Sequence, residues 1–349
     1  MRIRLAAALL VLAFTCIACG QTVTGRPDSA SRPGPLGRLP VDLTTASPTP
    51  TEPSADAGTD SAADTEANIP SFGSLTPAGC APPVIAHRGE GGNPADYPEN
   101  TSLSELDAAR HGANLLNMDV RWTADAVPVA LHDPTVDRTT SGTGPILALT
   151  AAQYTALDSR DNSGRIRAGW HPQTLAEVLA SVRPTGLPIV IQIEADPFDG
   201  SSAALVPRSE VAQSRFQSAE LDFSRFARAI EQSGYADKVI VAGWTQPDLL
   251  AFHAVAPTIR TAYLQNAGNP DADAILATGA RILYLEYTAV TAERVAAWHR
   301  AGIAVWAWTP PGAADWAALG RDLVDAIATN WVPSYFHWVR TTCPVTWNG

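Results

Sequence analysis

The chain has 349 residues, of which 46% are hydrophobic, and its formal net charge at pH 7 is -11. This acidic balance argues against nucleic acid as a partner, because a protein that reads a phosphate backbone generally needs a basic face. Lys238 is the one lysine in the sequence, so an anionic ligand must be met by arginine, by backbone amides or by a metal ion.

The first 19 residues have the pattern of an export signal. An apolar run over residues 5–19 follows two arginines, and a run of this length is too short to span a bilayer. Its end, CIACG at 16–20, resembles the lipobox of bacterial lipoproteins, which places the lipid on Cys19. We therefore expect an exported protein anchored to the outer face of the bacterial cytoplasmic membrane through Cys19. Because Cys16 stands where leucine is usual, ordinary cleavage and secretion is the alternative.

Residues 20–79 are rich in Pro, Ser, Thr, Ala, Asp and Gly and show no hydrophobic period. This composition predicts a disordered linker that holds a folded domain away from the membrane. The rest of the chain, residues 80–349, is about as long as one (β/α)8 barrel domain. We expect it to act as a monomer.

Within this domain, short apolar runs alternate with amphipathic segments. The predicted strands are Val84 to His87, Leu115 to Asp119, Ile189 to Glu194, Val239 to Trp244, Ile259 to Leu264, Ile282 to Glu286, Ile303 to Thr309 and Ala326 to Thr329. The predicted helices are Leu103 to His111, Thr174 to Val182, Phe223 to Ser233, Pro247 to Val255, Asp271 to Thr278, Ala292 to Ala301 and Ala313 to Leu319. Strict alternation of this kind predicts an α/β fold, a parallel (β/α)8 TIM barrel.

Two local patterns refine this prediction. Ser102, followed three residues later by Glu105, predicts a capping box at the start of the first helix. Residues 113–133 predict a hairpin arm after the second strand, with its turn between Ala124 and Asp125. That turn would pair Val120 with Val129 and bring His132 opposite Asn117.

The carboxyl ends of the strands of such a barrel form the mouth where active sites lie. The side chains at the predicted ends are His87, Asn117, Asp119, Glu194, Trp244, Glu286, Trp306 and Trp308. A carboxylate such as Glu194 within an apolar run needs a partner or a metal ion. The three tryptophans either line the pocket or pack the top layer of the barrel.

Cys80 and Cys343 lie at the two ends of the folded domain. An even pair in an exported protein predicts a disulfide, since barrel termini lie near one another. Two free thiols are the alternative.

An ordered series of motifs resembles the glycerophosphodiester phosphodiesterase family. It comprises HRG at 87–89, PENT at 98–101, the hairpin from 117 to 133, DRTTSGTG at 137–144, TLAEVL at 174–179, IQIEA at 191–195, AGIAVWAWT at 301–309 and DAIATN at 325–330. The resemblance implies a (β/α)8 barrel, a divalent metal, and hydrolysis of a glycerophosphodiester or related lipid-derived phosphodiester. His87 and His132 match the histidines that act as acid and base.

The remaining candidate site residues follow partly from the resemblance and partly from the chemistry of their side chains. Asp119 and Glu194 match acidic metal ligands, with Asn117 beside them, and oxygen ligands suit Mg²⁺ or Ca²⁺. Arg88 is expected to neutralise the phosphate, and Trp244 and Trp308 to line the substrate pocket.

Two positions depart from the family pattern. Asn117 stands where the family has glutamate, and Asp196 stands where it usually has lysine. An amide oxygen can ligate a metal ion but brings no charge. Glu286, Glu99 and Asp196 are candidate replacements, although an exposed or capping carboxylate is the more common role of such residues. The enzyme is therefore weighed against a catalytically weak or inactive relative that binds such ligands at the envelope.

Overall fold

The computed structural model describes residues 80–90, 97–194 and 223–343. The predicted signal, the linker over 20–79, Cys19 and Asp196 lie outside these residues. Within the described parts, no helix is both long and apolar enough to cross a membrane.

Eight parallel strands close into a barrel, and a ninth strand, β3, joins its sheet. The eleven strands of the described residues are β1 Val84–Ala86, β2 Leu115–Trp122, β3 Pro128–Ala130, β4 Ser159–Arg160, β5 Ile166–Arg167, β6 Ile189–Ile193, β7 Val239–Gly243, β8 Arg260–Gln265, β9 Ile282–Glu286, β10 Ala304–Trp308 and β11 Ala326–Thr329. Around the barrel the order is β1, β2, β6, β7, β8, β9, β10 and β11, and β11 pairs again with β1. The predicted TIM barrel is confirmed, and β3 is the antiparallel arm on β2.

Helices cover the outside of the barrel. They are α1 Ser102–Arg110, α2 Ala151–Thr155, α3 Leu175–Val182, α4 Phe223–Gln232, α5 Gln246–Val255, α6 Ala272–Ala277, α7 Ala292–Arg300, α8 Ala313–Arg321 and α9 Val332–Thr342. Buried residues of α3 recur at 175, 178, 179 and 182, the spacing of one helix face against a core. Helices α2 and α9 were not predicted.

The predicted capping box on α1 is wrong by one residue. Thr101 is the N-cap residue, and its hydroxyl accepts from the backbone N–H of Ser104, whose side chain accepts from Thr101 in return. Ser102 is already helical. Glu105, the expected partner of Ser102, is fully buried instead.

The predicted hairpin register is also wrong by one residue. Ala126 adopts a φ of 57°, and its N–H donates to the carbonyl of Thr123 at 2.9 Å. The loop therefore holds three residues, a common form in which a turn is followed by a left-handed residue. Val120 consequently pairs with Ala130 rather than Val129. Because one residue of slip exchanges the two faces of a strand, His132 reaches the mouth from the loop after β3.

Side chains that alternate along the strands fill the barrel interior. Tyr284 and Trp306 are neighbours on β9 and β10, with ring centroids 5.9 Å apart in an edge-to-face arrangement. Both are fully buried. Trp306 is thus part of the core, whereas Trp244 and Trp308 above it are partly exposed.

The first and last described segments of the barrel domain are joined covalently. Cys80 and Cys343, the predicted pair, form a disulfide. Nearby, the hydroxyl of Tyr335 on α9 donates to the carbonyl of Pro82, 2.5 Å away. The last helix is therefore fastened to the segment that enters β1.

Candidate active site

The barrel mouth brings together the predicted polar side chains. Asn117 and Asp119 lie on β2, at positions that alternate with outer residues packed beneath the helices. Because side chains on a strand alternate between faces, both point into the barrel. His87 follows β1 and Glu194 follows β6, so the ends of three adjacent strands supply the site.

Asp119 is the buried anion of the site. One carboxylate oxygen, Oδ2, accepts from Asn100 Nδ2 at 2.9 Å and lies 2.9 Å from Arg88 Nε, in an orientation that makes an ion pair rather than a directed hydrogen bond. Although burial opposes ionisation, the Arg88 guanidinium lowers the pKa of Asp119. The other oxygen, Oδ1, is buried and has no hydrogen-bond partner.

Glu194 lies across from Asp119. Its Oε1 accepts from Gln192 at 2.5 Å and from the indole N–H of Trp244 at 3.3 Å. Its Oε2 is 3.9 Å from an Arg121 nitrogen. Burial and the negative charge of Asp119 raise the pKa of Glu194, so the two carboxylates favour a cation between them.

Asn117 uses both ends of its amide. Its oxygen accepts from the backbone N–H of Arg88 at 3.2 Å, and its nitrogen donates to the carbonyl of Val190 at 3.4 Å. A carbonyl oxygen has two lone pairs, so Asn117 could still bind a cation. Its side chain also joins β1 to β6 across the mouth.

The candidate replacements for the missing carboxylate have other partners. Glu99 accepts two hydrogen bonds of 2.7 Å from Arg138 and lies 3.2 Å from Arg88. Glu286 caps a short 3₁₀ turn by accepting from Thr288. The capping alternative therefore holds for Glu286.

Each histidine is held through its Nδ1 atom. In His87, Nδ1 donates to the side-chain oxygen of Asn330 at 2.6 Å, and in His132 it donates to Asp133 at 2.8 Å. This arrangement fixes the ring and leaves Nε2 for proton transfer. Arg138 in turn holds Asp133, with Nε 2.6 Å from Oδ2.

The two imidazoles have opposite proton affinities. Burial, with the neighbouring Arg88 guanidinium, lowers the pKa of His87 to about 4. Burial also disfavours charge on His132, but the hydrogen bond to Asp133 and the charge of Asp119 prevail and raise its pKa. The two rings of one site thus favour opposite protonation states.

Sequence reasoning missed several residues at this site. Asn330 and Asn100 lie within the quoted motifs DAIATN and PENT, and Asp133 and Arg138 follow His132 closely. The motifs therefore contained these residues but did not indicate their roles. Glu105 is fully buried with neither carboxylate oxygen hydrogen-bonded. Burial raises its pKa well above the usual range, and Asp119 adds to the rise.

Tyr284 was likewise missed. Its hydroxyl is buried without a hydrogen-bond partner, and burial and the charge of Asp119 raise its pKa. The phenol therefore stays neutral beneath the site. Its position on the inner face of β9 was predictable from strand alternation.

The residues present fit a divalent cation. Asp119 Oδ1 is a buried carboxylate oxygen without a partner, and Glu194 and Asn117 add oxygen donors at neighbouring strand ends. Hard cations such as Mg²⁺ and Ca²⁺ prefer such donors. A cation here would also offset the repulsion between Asp119 and Glu194.

Two half-buried tryptophans form part of the rim. The rings of Trp244 and Trp308 meet edge to face with centroids 5.8 Å apart. The indole N–H of Trp244 reaches Glu194, and that of Trp308 donates to the carbonyl of Tyr284 at 3.3 Å. Both sit directly above the carboxylates and carry partly exposed apolar surface.

Comparison with known proteins agrees with this fold and with the family resemblance. The sequence profile of the Glycerophosphoryl diester phosphodiesterase family matches residues 87–333. A glycerophosphodiester phosphodiesterase of Caldanaerobacter subterraneus subsp. tengcongensis is 27% identical over 248 residues, which cover 71% of this chain and 93% of that protein. Glycerophosphodiester phosphodiesterase 1 of Homo sapiens is 38% identical over 114 residues, which cover 32% of this chain and 33% of that protein.

A solved structure has the same fold. The Oleispira antarctica phosphodiesterase, in complex with its product sn-glycerol-3-phosphate, superposes with a TM-score of 0.63. It is 22% identical and covers 74% of this chain and 97% of its own. The chain therefore belongs to the glycerophosphoryl diester phosphodiesterase family and is a phosphodiesterase.

Proposed function

We propose that this protein hydrolyses glycerophosphodiesters through metal-dependent acid–base catalysis by His87 and His132. The observation that carries the proposal is the histidine pair at the mouth, in which each Nδ1 has a fixed partner and the pKa shifts have opposite directions. A base must be neutral and an acid must be protonated at the same pH. The opposite shifts of the two pKa values favour these two protonation states.

The residues divide the reaction as follows. His87 accepts a proton from the attacking water as the oxygen of that water bonds to phosphorus. His132 donates its proton to the leaving alcohol oxygen as that phosphorus–oxygen bond breaks. Arg88 places positive charge beside the phosphoryl oxygens.

Asp119, Glu194 and Asn117 would hold the divalent metal, Ca²⁺ or Mg²⁺. When bound, the metal supplies positive charge that stabilises the negative charge gained in the transition state. Asp133 and Asn330 keep the imidazoles oriented throughout. The products are an alcohol and a phosphomonoester.

The apolar surface at the rim supports a class of substrates. Trp244 and Trp308 offer apolar surface for glycerol or an acyl chain, which suits glycerophosphodiesters, lysophospholipids or a glycerol-phosphate polymer. We place the protein outside the cell as a monomer, tethered to the outer face of the cytoplasmic membrane by lipidated Cys19. Such a location would bring it to lipid-derived and envelope substrates.

A direct test is hydrolysis of a glycerophosphodiester panel by the mature protein, with Ca²⁺ or Mg²⁺ and with a chelator. His87→Ala and His132→Ala should each lower kcat by about two to four orders of magnitude. His337→Ala, at an exposed position on α9, is the matched control and should retain full rate. Near-normal turnover in either site variant would refute the acid–base assignment.

A binding protein without catalysis is the second candidate, and Asn117 favours it. A neutral amide in place of a carboxylate weakens metal binding by removing one charge. Saturable binding of glycerophosphodiesters without turnover at any metal concentration would support this candidate.

A further inference from the structure

A second group of metal-binding side chains lies outside the barrel mouth. Glu90, Asp107 and His111 each place one ligand atom within 4.8 Å of the others, and they are the only His, Cys, Asp and Glu set of this kind among the described residues. We name these three residues the Glu90 cluster. His111 Nδ1 contacts Glu90 Oε1 and lies 3.7 Å from Asp107 Oδ2.

The chain builds this cluster from two elements. Asp107 and His111 are four residues apart at the end of α1, so their side chains share one helix face. The segment after β1 packs closely against the same helix. Gly89 in this segment has a φ of 75°, and a Cβ there would lie 2.5 Å from Ser104 Oγ. This close approach carries Glu90 alongside the last turn of α1.

The surroundings of the three side chains differ in a way that suits a bound cation. The side chain of Glu90 is 1% exposed, whereas those of Asp107 and His111 are 17% and 43% exposed. A cation beside a buried carboxylate stabilises its charge, and the open side would admit water as a further ligand. Asp107 Oδ1 lies 3.4 Å from Arg110, while Oδ2 is the oxygen nearer His111.

We propose that the Glu90 cluster binds a divalent transition metal, with Zn²⁺ as the best match. One imidazole nitrogen and two carboxylate oxygens form a three-residue ligand set that Zn²⁺ accepts in proteins, whereas Mg²⁺ and Ca²⁺ prefer oxygen alone. The bound ion would fasten the segment that carries His87 and Arg88 to the end of α1. Its role is structural, since it lies outside the barrel mouth.

The test counts zinc ions bound to the mature protein after equilibrium dialysis, in parallel with thermal unfolding. The background is Asp119→Asn/Glu194→Gln, which disables the proposed site at the mouth. We expect this background to keep one Zn²⁺ and to unfold at a higher temperature with ZnCl₂, because a ligand that binds the folded state stabilises it. Adding His111→Gln should abolish both effects, whereas His337→Gln should change neither.

Loss of all zinc from the background alone would overturn the second site while leaving the proposed function intact. Retention of zinc after His111→Gln would also overturn the second site, and would leave the direct contact with Glu90 as the role of His111. If the parent binds one zinc ion and loses it with His111→Gln, the cluster stands and metal binding at the mouth is in doubt. Should His111→Gln fold poorly, Asp107→Asn repeats the measurement on the same ligand set.

Discussion

At the level of single residues, surroundings rather than residue type separate the two histidines. Burial beside an arginine lowers the pKa of His87 to about 4, while pairing with Asp133 raises the pKa of His132. A similar contrast separates Asp119, which Arg88 keeps ionised, from Glu194, whose pKa is raised. Pairs whose environments move their pKa values apart are a signature of acid–base sites.

The pH dependence of kcat/KM should follow this division. Activity should rise as His87 loses its proton around pH 4 and should fall on the alkaline side as His132 loses its proton, above the ordinary histidine value of 6.5. Asp133→Asn removes an anion that favours the protonated form of His132, so the alkaline limb should move to lower pH. The measurement is kcat/KM against pH for both proteins.

Asp137→Asn is the matched control, because Asp137 accepts a hydrogen bond from Gly144 at an exposed position. It should leave both limbs in place. An unmoved alkaline limb in Asp133→Asn would show that Asp133 does not set the charge of His132.

Asn117→Glu should tighten metal binding, since a charged ligand replaces a dipole in a partly dry pocket. Activity at limiting metal should rise with it. The measurement is a Ca²⁺ or Mg²⁺ titration of variant and parent. Asn117→Gln has the same length without the charge, so it separates charge from size.

Unchanged or weaker affinity in Asn117→Glu would mean that the site already holds enough negative charge. Repulsion between the added carboxylate and Asp119 would then outweigh the added attraction for the metal ion. Absence of binding in both proteins would favour the non-catalytic candidate.

At the level of elements, the arm after β2 organises one side of the mouth. Arg138 connects Glu99, from the loop before α1, with Asp133, from the loop after β3. Burial disfavours ionisation of both acids, yet Arg138 lowers the pKa of Glu99, and His132 together with Arg138 lowers the pKa of Asp133. The arm therefore holds the partner of His132 in place.

The disulfide joins the start of β1 to the end of α9 across 263 residues of sequence. A crosslink that closes so long a loop restricts the unfolded chain strongly. Cys80→Ser/Cys343→Ser should lower the free energy of unfolding by about 2–5 kcal/mol. Urea unfolding measures the loss.

Turnover at low temperature should persist in the same variant, because neither cysteine contacts the mouth residues described above. The parent under a reducing agent is the control and should match the variant. Equal stability of oxidised parent and variant would contradict the proposed contribution.

At the level of the whole molecule, the proposed anchor lies outside the described residues and rests on the sequence. Cys19→Ser should release the protein into the medium, because no lipid can then be attached. Membrane fractionation and immunoblotting measure the distribution. Cys16→Ser is the matched control and should stay with the membrane, since Cys16 would leave with the signal.

Continued membrane retention of Cys19→Ser would count against the lipid anchor. Release of both the parent and Cys16→Ser would instead favour ordinary secretion. Neither outcome bears on the chemistry at the barrel mouth.

The strands were predictable because each is a short apolar run with a polar residue at its end. Val239 to Trp244, for example, corresponds to β7 with one residue fewer. The pairing register of the hairpin arm was not predictable, because the left-handed residue is Ala126 rather than the glycine or asparagine that normally marks such a turn. Helix α9 was missed although Pro333 lies in its first turn, a position typical of helix starts.

The sequence by itself determined the barrel, the family and the candidate site residues, since these depend on local periodicity and short motifs. The tertiary structure decided how those residues are charged. Asn330 reaches His87 across 243 residues of sequence, and Arg138 reaches Glu99 across 39. Burial and ion pairing act through space, so a pKa shift becomes readable only once the fold has fixed which groups are neighbours.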